Sequence, residues 1–249
     1  MKWPALLLAA FLVLAAGDKR SGYLDASPGT RSMQDDDAAN PGFLWVLQGE
    51  ALWNQPAGAS GKACATCHGE APRSMAGVAA RYPRVDPTLG HPVSLDAQIR
   101  QCRVGRQGTA DVPPDSDTML ALTAYVGLQS RGLPIAVADD VSARPFLDQG
   151  RRLFETRMGQ LNLSCAQCHD TLAGQRLAGT PIPQGHPNGY PQYRLEWQAM
   201  GSLYRRIRNC MTGVRAEPFA PDSDDLRALE LYLGWRANGL KVETPAVRP

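Results

Sequence analysis

The chain has 249 residues, a net charge of +2 and an ordinary globular composition, with 43% hydrophobic and 20% charged residues. That length accommodates one large domain or two small ones, and a charge this close to neutral excludes the basic footprint expected of a nucleic-acid-binding protein.

Met1-Lys2-Trp3, the apolar run Ala5 to Ala16 and the charged Asp18-Lys19-Arg20 predict a secretory signal peptide over residues 1–16, cleaved near Ala15 to Gly17. The run is shorter than the roughly 20 apolar residues that a membrane span requires. No later segment is long and apolar enough to span. The expected mature product is therefore a periplasmic protein without a membrane span. Residues 17–41, rich in Asp, Ser, Gly and Ala without periodicity, predict an extended leader arm rather than a packed element.

From Phe43 onward the sequence repeats itself after about a hundred residues. Gln48-Gly49-Glu50-Ala51-Leu52-Trp53 answers Gln149-Gly150-Arg151-Arg152-Leu153-Phe154, and each run leads into a cysteine motif. Gly90-His91-Pro92 answers Gly185-His186-Pro187, and Ile99-Arg100-Gln101-Cys102 answers Ile207-Arg208-Asn209-Cys210. Pro114-Asp115-Ser116-Asp117 answers Pro221-Asp222-Ser223-Asp224. Each of these last two precedes an apolar helical pattern with Asp or Ser at its start and a glycine, Gly132 or Gly239, at its end. An internal duplication is the reading, with two domains of one mainly α fold over residues 42–135 and 136–249 and a boundary near Pro134 to Val141.

Six cysteines in an exported chain ordinarily suggest disulfides, but four of them sit in Cys64-Ala65-Thr66-Cys67-His68 and Cys165-Ala166-Gln167-Cys168-His169. Cys-x-x-Cys-His is the c-type haem attachment pattern. Two thiols on one helical turn reach the two vinyl groups of a haem as thioethers, and the adjacent imidazole comes under the iron. A redox dithiol or half a zinc site requires no following His. Two covalently bound haem c groups are therefore expected, on Cys64 and Cys67 with His68 as proximal ligand, and on Cys165 and Cys168 with His169.

The second axial ligand is less direct. Met75, Met119, Met158, Met200 and Met211 do not pair across the repeat, which disfavours methionine ligation of two similar haems. Cys102 with Cys210, and His91 with His186, do pair. For the cysteines, iron ligation, a mutual disulfide and plain burial are all open; equivalent positions in two domains each face their own haem, which favours ligation. For the histidines, a Gly-His-Pro turn with a satisfied imidazole stands level with a ligand role. If residues 203 to 211 are helical, Arg206 shares a face with Cys210 four positions later, where a guanidinium holds a sulfonate and stabilises a thiolate. A solvated basic face is the alternative.

The two haem motifs, the run Tyr204-Arg205-Arg206-Ile207-Arg208-Asn209-Cys210-Met211-Thr212-Gly213-Val214-Arg215-Ala216 and the run Gln184-Gly185-His186-Pro187-Asn188-Gly189-Tyr190-Pro191 resemble the SoxA family. The resemblance covers Pro41 to Leu240 and is weakest in the leader and the tail. It implies tandem class I cytochrome c-like domains, and His/Cys ligation with Cys102 completing the first haem site and Cys210 the second. It also implies an L-cysteine S-thiosulfotransferase, which joins thiosulfate oxidatively to a cysteine of a SoxYZ-like sulfur carrier, with a SoxX-like monohaem cytochrome c as partner and two electrons leaving toward cytochrome c. Cys210 and Arg206 are the catalytic candidates. An electron carrier with both haems saturated and a dihaem peroxidase are the alternatives from other classes.

Overall fold

The computed structural model describes residues 18–249. The expected signal peptide lies outside the described residues. In chain order the elements are α1 (Pro28–Asp35), α2 (Phe43–Asn54), α3 (Cys64–His68), α4 (Ala71–Ser74), β1 (Arg84–Val85), β2 (Pro92–Val93), α5 (Leu95–Cys102), α6 (Asp117–Leu128) and α7 (Arg144–Glu155). They continue with β3 (Arg176–Leu177), β4 (Thr180–Pro181), β5 (Gln192–Arg194), β6 (Ala199–Gly201), α8 (Leu203–Gly213), α9 (Asp224–Arg236) and β7 (Ala246–Arg248). The fold is mainly helical, as expected.

Each half is built on one helix crossing, α2 on α6 and α7 on α9, and the duplicated glycines explain how the helices approach so closely. A Cβ at Gly49 would collide with the Ala121 carbonyl and the Tyr125 side chain; at Gly150 it would collide with the Ala228 carbonyl and Tyr232. The crossings are filled by matching aromatic pairs, Trp53 with Tyr125 at 6.1 Å and Phe154 with Tyr232 at 5.6 Å between ring centroids. Phe154 is 1% exposed, and burying such a side chain contributes about 2 to 3 kcal/mol. The helix starts are capped as the repeat predicts: Ser116 Oγ accepts from Met119 N and Ser223 Oγ from Leu226 N. Past the helix ends, Gly132 and Gly239 take φ of +84° and +88°, conformations that a side chain would strain.

The halves are joined through a third apolar cluster that includes Ala80, Ile135, Val137, Leu147 and Leu231. The segment after α6 is tied on both sides, since Ala136 N donates to Ala80 O and Val137 N to the Asn238 side chain, both at 2.8 Å. Arg100 on α5 pairs with Asp222, which precedes α9, and lies 3.7 Å from Asp111.

The leader differs from the sequence expectation. Residues 18–41 are not an unpacked arm, because they hold α1, whose Ser27 cap accepts from Thr30 N and whose Pro28 supplies a helical φ at the first turn. Helix α1 packs on β7, and Gln34 Oε1 accepts from Val247 N at 3.0 Å. Asn40 donates to the Pro245 carbonyl, more than two hundred residues away in sequence. An eight-residue amphipathic helix is marginal alone, and the contact with the C-terminal strand stabilises it. Strand β7 pairs parallel to β5, and β5 pairs antiparallel to β6. That three-stranded sheet sets the β5–β6 hairpin beside α8.

Candidate functional site

Each half presents its haem motif immediately after its first long helix. In the first, Cys64, Cys67 and His68 form the short α3, and the Trp53 indole donates to Gly69 O at 2.9 Å while its ring lies 5.7 Å from the His68 ring. In the second, Cys165 and Cys168 precede His169 in a loosely wound turn over Gln167–Thr171.

Cys64 and Cys165 pack against the two domain cores. Burial raises the Cys64 thiol above its usual range, and burial pushes Cys165 up to about 11, with Cys210 beside it adding to the effect. A nucleophilic or zinc-binding cysteine needs its thiolate stabilised. These two sites disfavour the anion and suit an uncharged thioether.

His169 is prepared for iron. Its Nδ1 donates to the Pro183 carbonyl at 2.7 Å, which leaves Nε2 free as a ligand. Gly185 lies against the ring; a Cβ there would sit 2.9 Å from His169 Cγ and Nδ1. Burial holds the imidazole pKa below its usual value, so the ring is the neutral form that binds metal. The residues present thus fit a covalently held haem at this site.

The remaining cysteines go where the repeat places them. Cys102 ends α5 and is an electrostatic neighbour of Cys64, whereas Cys210, on α8, is a neighbour of Cys165. No disulfide joins Cys102 to Cys210. The two histidines do not share a setting. His91 lines a cavity of about 100 Å³ between the domains, with Asp96, Arg100, Asp222 and Glu230, and its Nδ1 lies 3.0 Å from Pro92 O. His186 belongs to the segment behind His169, with Nε2 3.2 Å from Gln184 Oε1, and burial drives its pKa to about 4. The methionines are packing residues: Met119, Met200 and Met211 are buried, and Met75 and Met158 lie against the two domain cores.

The helix that puts Arg206 on the face of Cys210 is α8, with Ser202 accepting from Arg205 N as its cap. The arginines near the two cysteines are held differently. Arg100, two residues before Cys102, is committed to Asp222. Arg206 shares α8 with Cys210, and Arg194 on β5 is an electrostatic neighbour of Arg206. Tyr190 connects them: it is buried, with its hydroxyl pushed up to about 12 by burial, and it lies among Arg206, Arg194 and Cys210. Glu196 and Trp197, at the tip of the β5–β6 hairpin, reach over the same arginines. Glu196 Oε1 is 2.6 Å from Arg194 Nη2 and 3.8 Å from Arg206 Nη1, and Arg205 stacks on Trp197 at 4.3 Å.

Comparison with known proteins matches the family model described as SoxA/TsdA, cytochrome c domain, to residues 48–135 and again to 149–242. The L-cysteine S-thiosulfotransferase subunit SoxA of Pseudaminobacter salicylatoxidans is 41% identical over 92% of this chain and 80% of its own. The chain belongs to the SoxA family. A second SoxA, from Paracoccus pantotrophus, is 38% identical over 96% of this chain and 82% of its own. The crystal structure of SoxXA from P. pantotrophus superposes with a TM-score of 0.89 at 38% identity, covering 92% of this chain and 86% of that one. As a SoxA-type cytochrome the chain binds covalent haem c, and the two matched segments are its tandem cytochrome c domains.

Several residues of this SoxA site were not singled out by sequence reasoning. Pro183, Arg194, Glu196 and Trp197 lie outside the cysteine motifs and are absent from the repeat. Only Tyr190, inside the run Gln184 to Pro191 that carries the family resemblance, had a signal in the sequence.

Proposed function

We propose that this chain is the dihaem subunit of a periplasmic L-cysteine S-thiosulfotransferase. It works with a SoxX-like monohaem cytochrome c and acts on a SoxYZ-like sulfur carrier. The observation that carries the reading is the placement of Arg206 one turn before Cys210 on α8, beside the second haem motif, in a chain 41% identical to a SoxA.

One haem c is held by Cys64, Cys67 and His68 with Cys102 as the further ligand, and the other by Cys165, Cys168 and His169 with Cys210. When bound, haem supplies a one-electron acceptor close to the reacting sulfur. In the reaction the carrier thiol loses its proton and a sulfur–sulfur bond forms between the carrier cysteine and the outer sulfur of thiosulfate. The product is the carrier S-thiosulfonate, and two electrons pass to cytochrome c. The bond forms in two stages: the Cys210 thiolate joins the outer sulfur of thiosulfate as the two electrons leave, and the carrier thiolate then attacks that outer sulfur, breaking its bond to Cys210 and releasing the Cys210 thiolate. Arg206 holds the sulfonate oxygens through its planar fork of donors and keeps the outer sulfur toward Cys210. Tyr190, neutral throughout the physiological range, supplies a buried hydroxyl beside the same anion.

The test is carrier-dependent reduction of cytochrome c by the purified complex with thiosulfate. The expected result is turnover that needs both thiosulfate and the carrier, with the carrier gaining the mass of one thiosulfate group. Electron transfer indifferent to thiosulfate identifies a carrier cytochrome instead, and peroxide turnover without thiosulfate identifies a peroxidase.

A further inference from the structure

Arg194 is a cation that the reaction above does not use. Its side chain is 11% exposed, its Nη2 is held by one carboxylate oxygen of Glu196, and its Nε is buried without a hydrogen-bond partner. That same Glu196 oxygen is the one facing Arg206 at 3.8 Å. The carboxylate thus stands between two guanidinium groups, one deep and one, Arg206, 33% exposed. Trp197 braces the arrangement, with Arg194 at 5.2 Å and Arg205 at 4.3 Å from its ring.

The two sides of this ion pair differ in freedom. Arg194 is anchored in β5, between β6 and β7. Glu196 lies on the hairpin turn and is 50% exposed, so it regains water at little cost when it leaves. A tetrahedral sulfur oxyanion has what the carboxylate lacks: three oxygens on one centre, enough to reach Arg206, the Arg194 Nη2 and the unpaired Arg194 Nε together.

We propose that Glu196 is a built-in competitor for the sulfonate site: its carboxylate occupies the Arg194–Arg206 pair in the resting protein and is displaced by the incoming sulfonate, with Arg194 as a second anion-binding residue. The inference rests on the reading of Arg206 as the sulfonate holder. It adds a reason for selectivity, because an anion too small or too weakly charged to displace Glu196 leaves the site closed.

The experiment compares the haem-loaded wild-type complex with Glu196→Gln, Glu196→Ala, Arg194→Gln and, as a charge control, Glu217→Gln. Glu217 is exposed after α8 and touches neither guanidinium. Two readouts are taken: KM for thiosulfate with the carrier, and sulfate binding by calorimetry without turnover. Both Glu196 variants are expected to lower KM and the sulfate Kd about three- to fivefold, the range of an exposed ion pair. Arg194→Gln is expected to raise both at least tenfold, and Glu217→Gln to leave both within twofold. Unchanged or weaker sulfate binding in the Glu196 variants overturns the proposal, as does an equal gain in Glu217→Gln, which would mark a general charge effect. If wild type shows no thiosulfate turnover while the Glu196 variants still bind sulfate more tightly, the transferase reading falls and the anion gate stands.

Discussion

The Nδ1 of His169 donates to the carbonyl of Pro183 at 2.7 Å, and this one bond leaves Nε2 as the nitrogen free to bind iron. Gly185, at φ +72°, is what lets the supporting strand of chain lie flat against the ring. Gly185→Ala places a methyl group within 2.9 Å of the imidazole and strains the backbone. The expected outcome is a second haem with altered axial spectroscopic features and a first haem unchanged, read by electron paramagnetic resonance. Reduced stability of about 1 to 3 kcal/mol accompanies it.

The duplicated glycines of the helix crossings have a matching consequence for folding. Gly49→Ala and Gly150→Ala each drive a methyl group into a carbonyl of the facing helix. Each is expected to cost about 1 to 3 kcal/mol, or more where the backbone does not yield. Thermal unfolding of the haem-loaded protein checks this, and equal losses in the two variants support equivalent crossings.

Haem number follows from the two motifs. Wild type is expected to yield two haems per chain by pyridine haemochrome, and the double substitution Cys64→Ala with Cys67→Ala to yield one. Loss of both haems in that variant contradicts independent attachment in the two domains.

Much of this was legible in the sequence because it depends on local spacing. The attachment motifs, the serine caps at Ser116 and Ser223, the glycines after the helices and the pairing of Cys102 with Cys210 each occupy a few consecutive or repeated positions. The packed leader was not legible, since α1 depends on β7 at the other end of the chain. Nor were Glu196 and Arg194, which meet Arg206 only because β5 and β6 fold back beside α8. His91 and His186 match in sequence yet face different surroundings, because the loops that carry them pack against different elements.

The domain interface carries a pH dependence. Burial raises the Glu230 carboxyl well above its usual range, with Asp96 and then Asp222 adding to it and Arg227 opposing, and burial raises Asp96 as well. A carboxyl whose pKa is raised by folding stabilises fully below its unfolded value, and that stability is lost as pH rises through the folded value. Glu230→Gln is therefore expected to melt close to wild type near pH 4 and to gain on it steadily from about pH 5 upward. A stability difference independent of pH contradicts this account.

The central claim is that chemistry belongs to Cys210 and not to its counterpart Cys102, because Arg206, one turn before Cys210, is held only loosely by Glu196 at 3.8 Å, whereas Arg100, two residues before Cys102, is committed to Asp222. The most direct measurement is thiosulfate turnover with the carrier for Cys210→Ala and Cys102→Ala, each at matched haem content. The account predicts at least a hundredfold loss for Cys210→Ala and less than a tenfold loss for Cys102→Ala. Persistent turnover in Cys210→Ala, or a loss of equal size in the two variants, contradicts it.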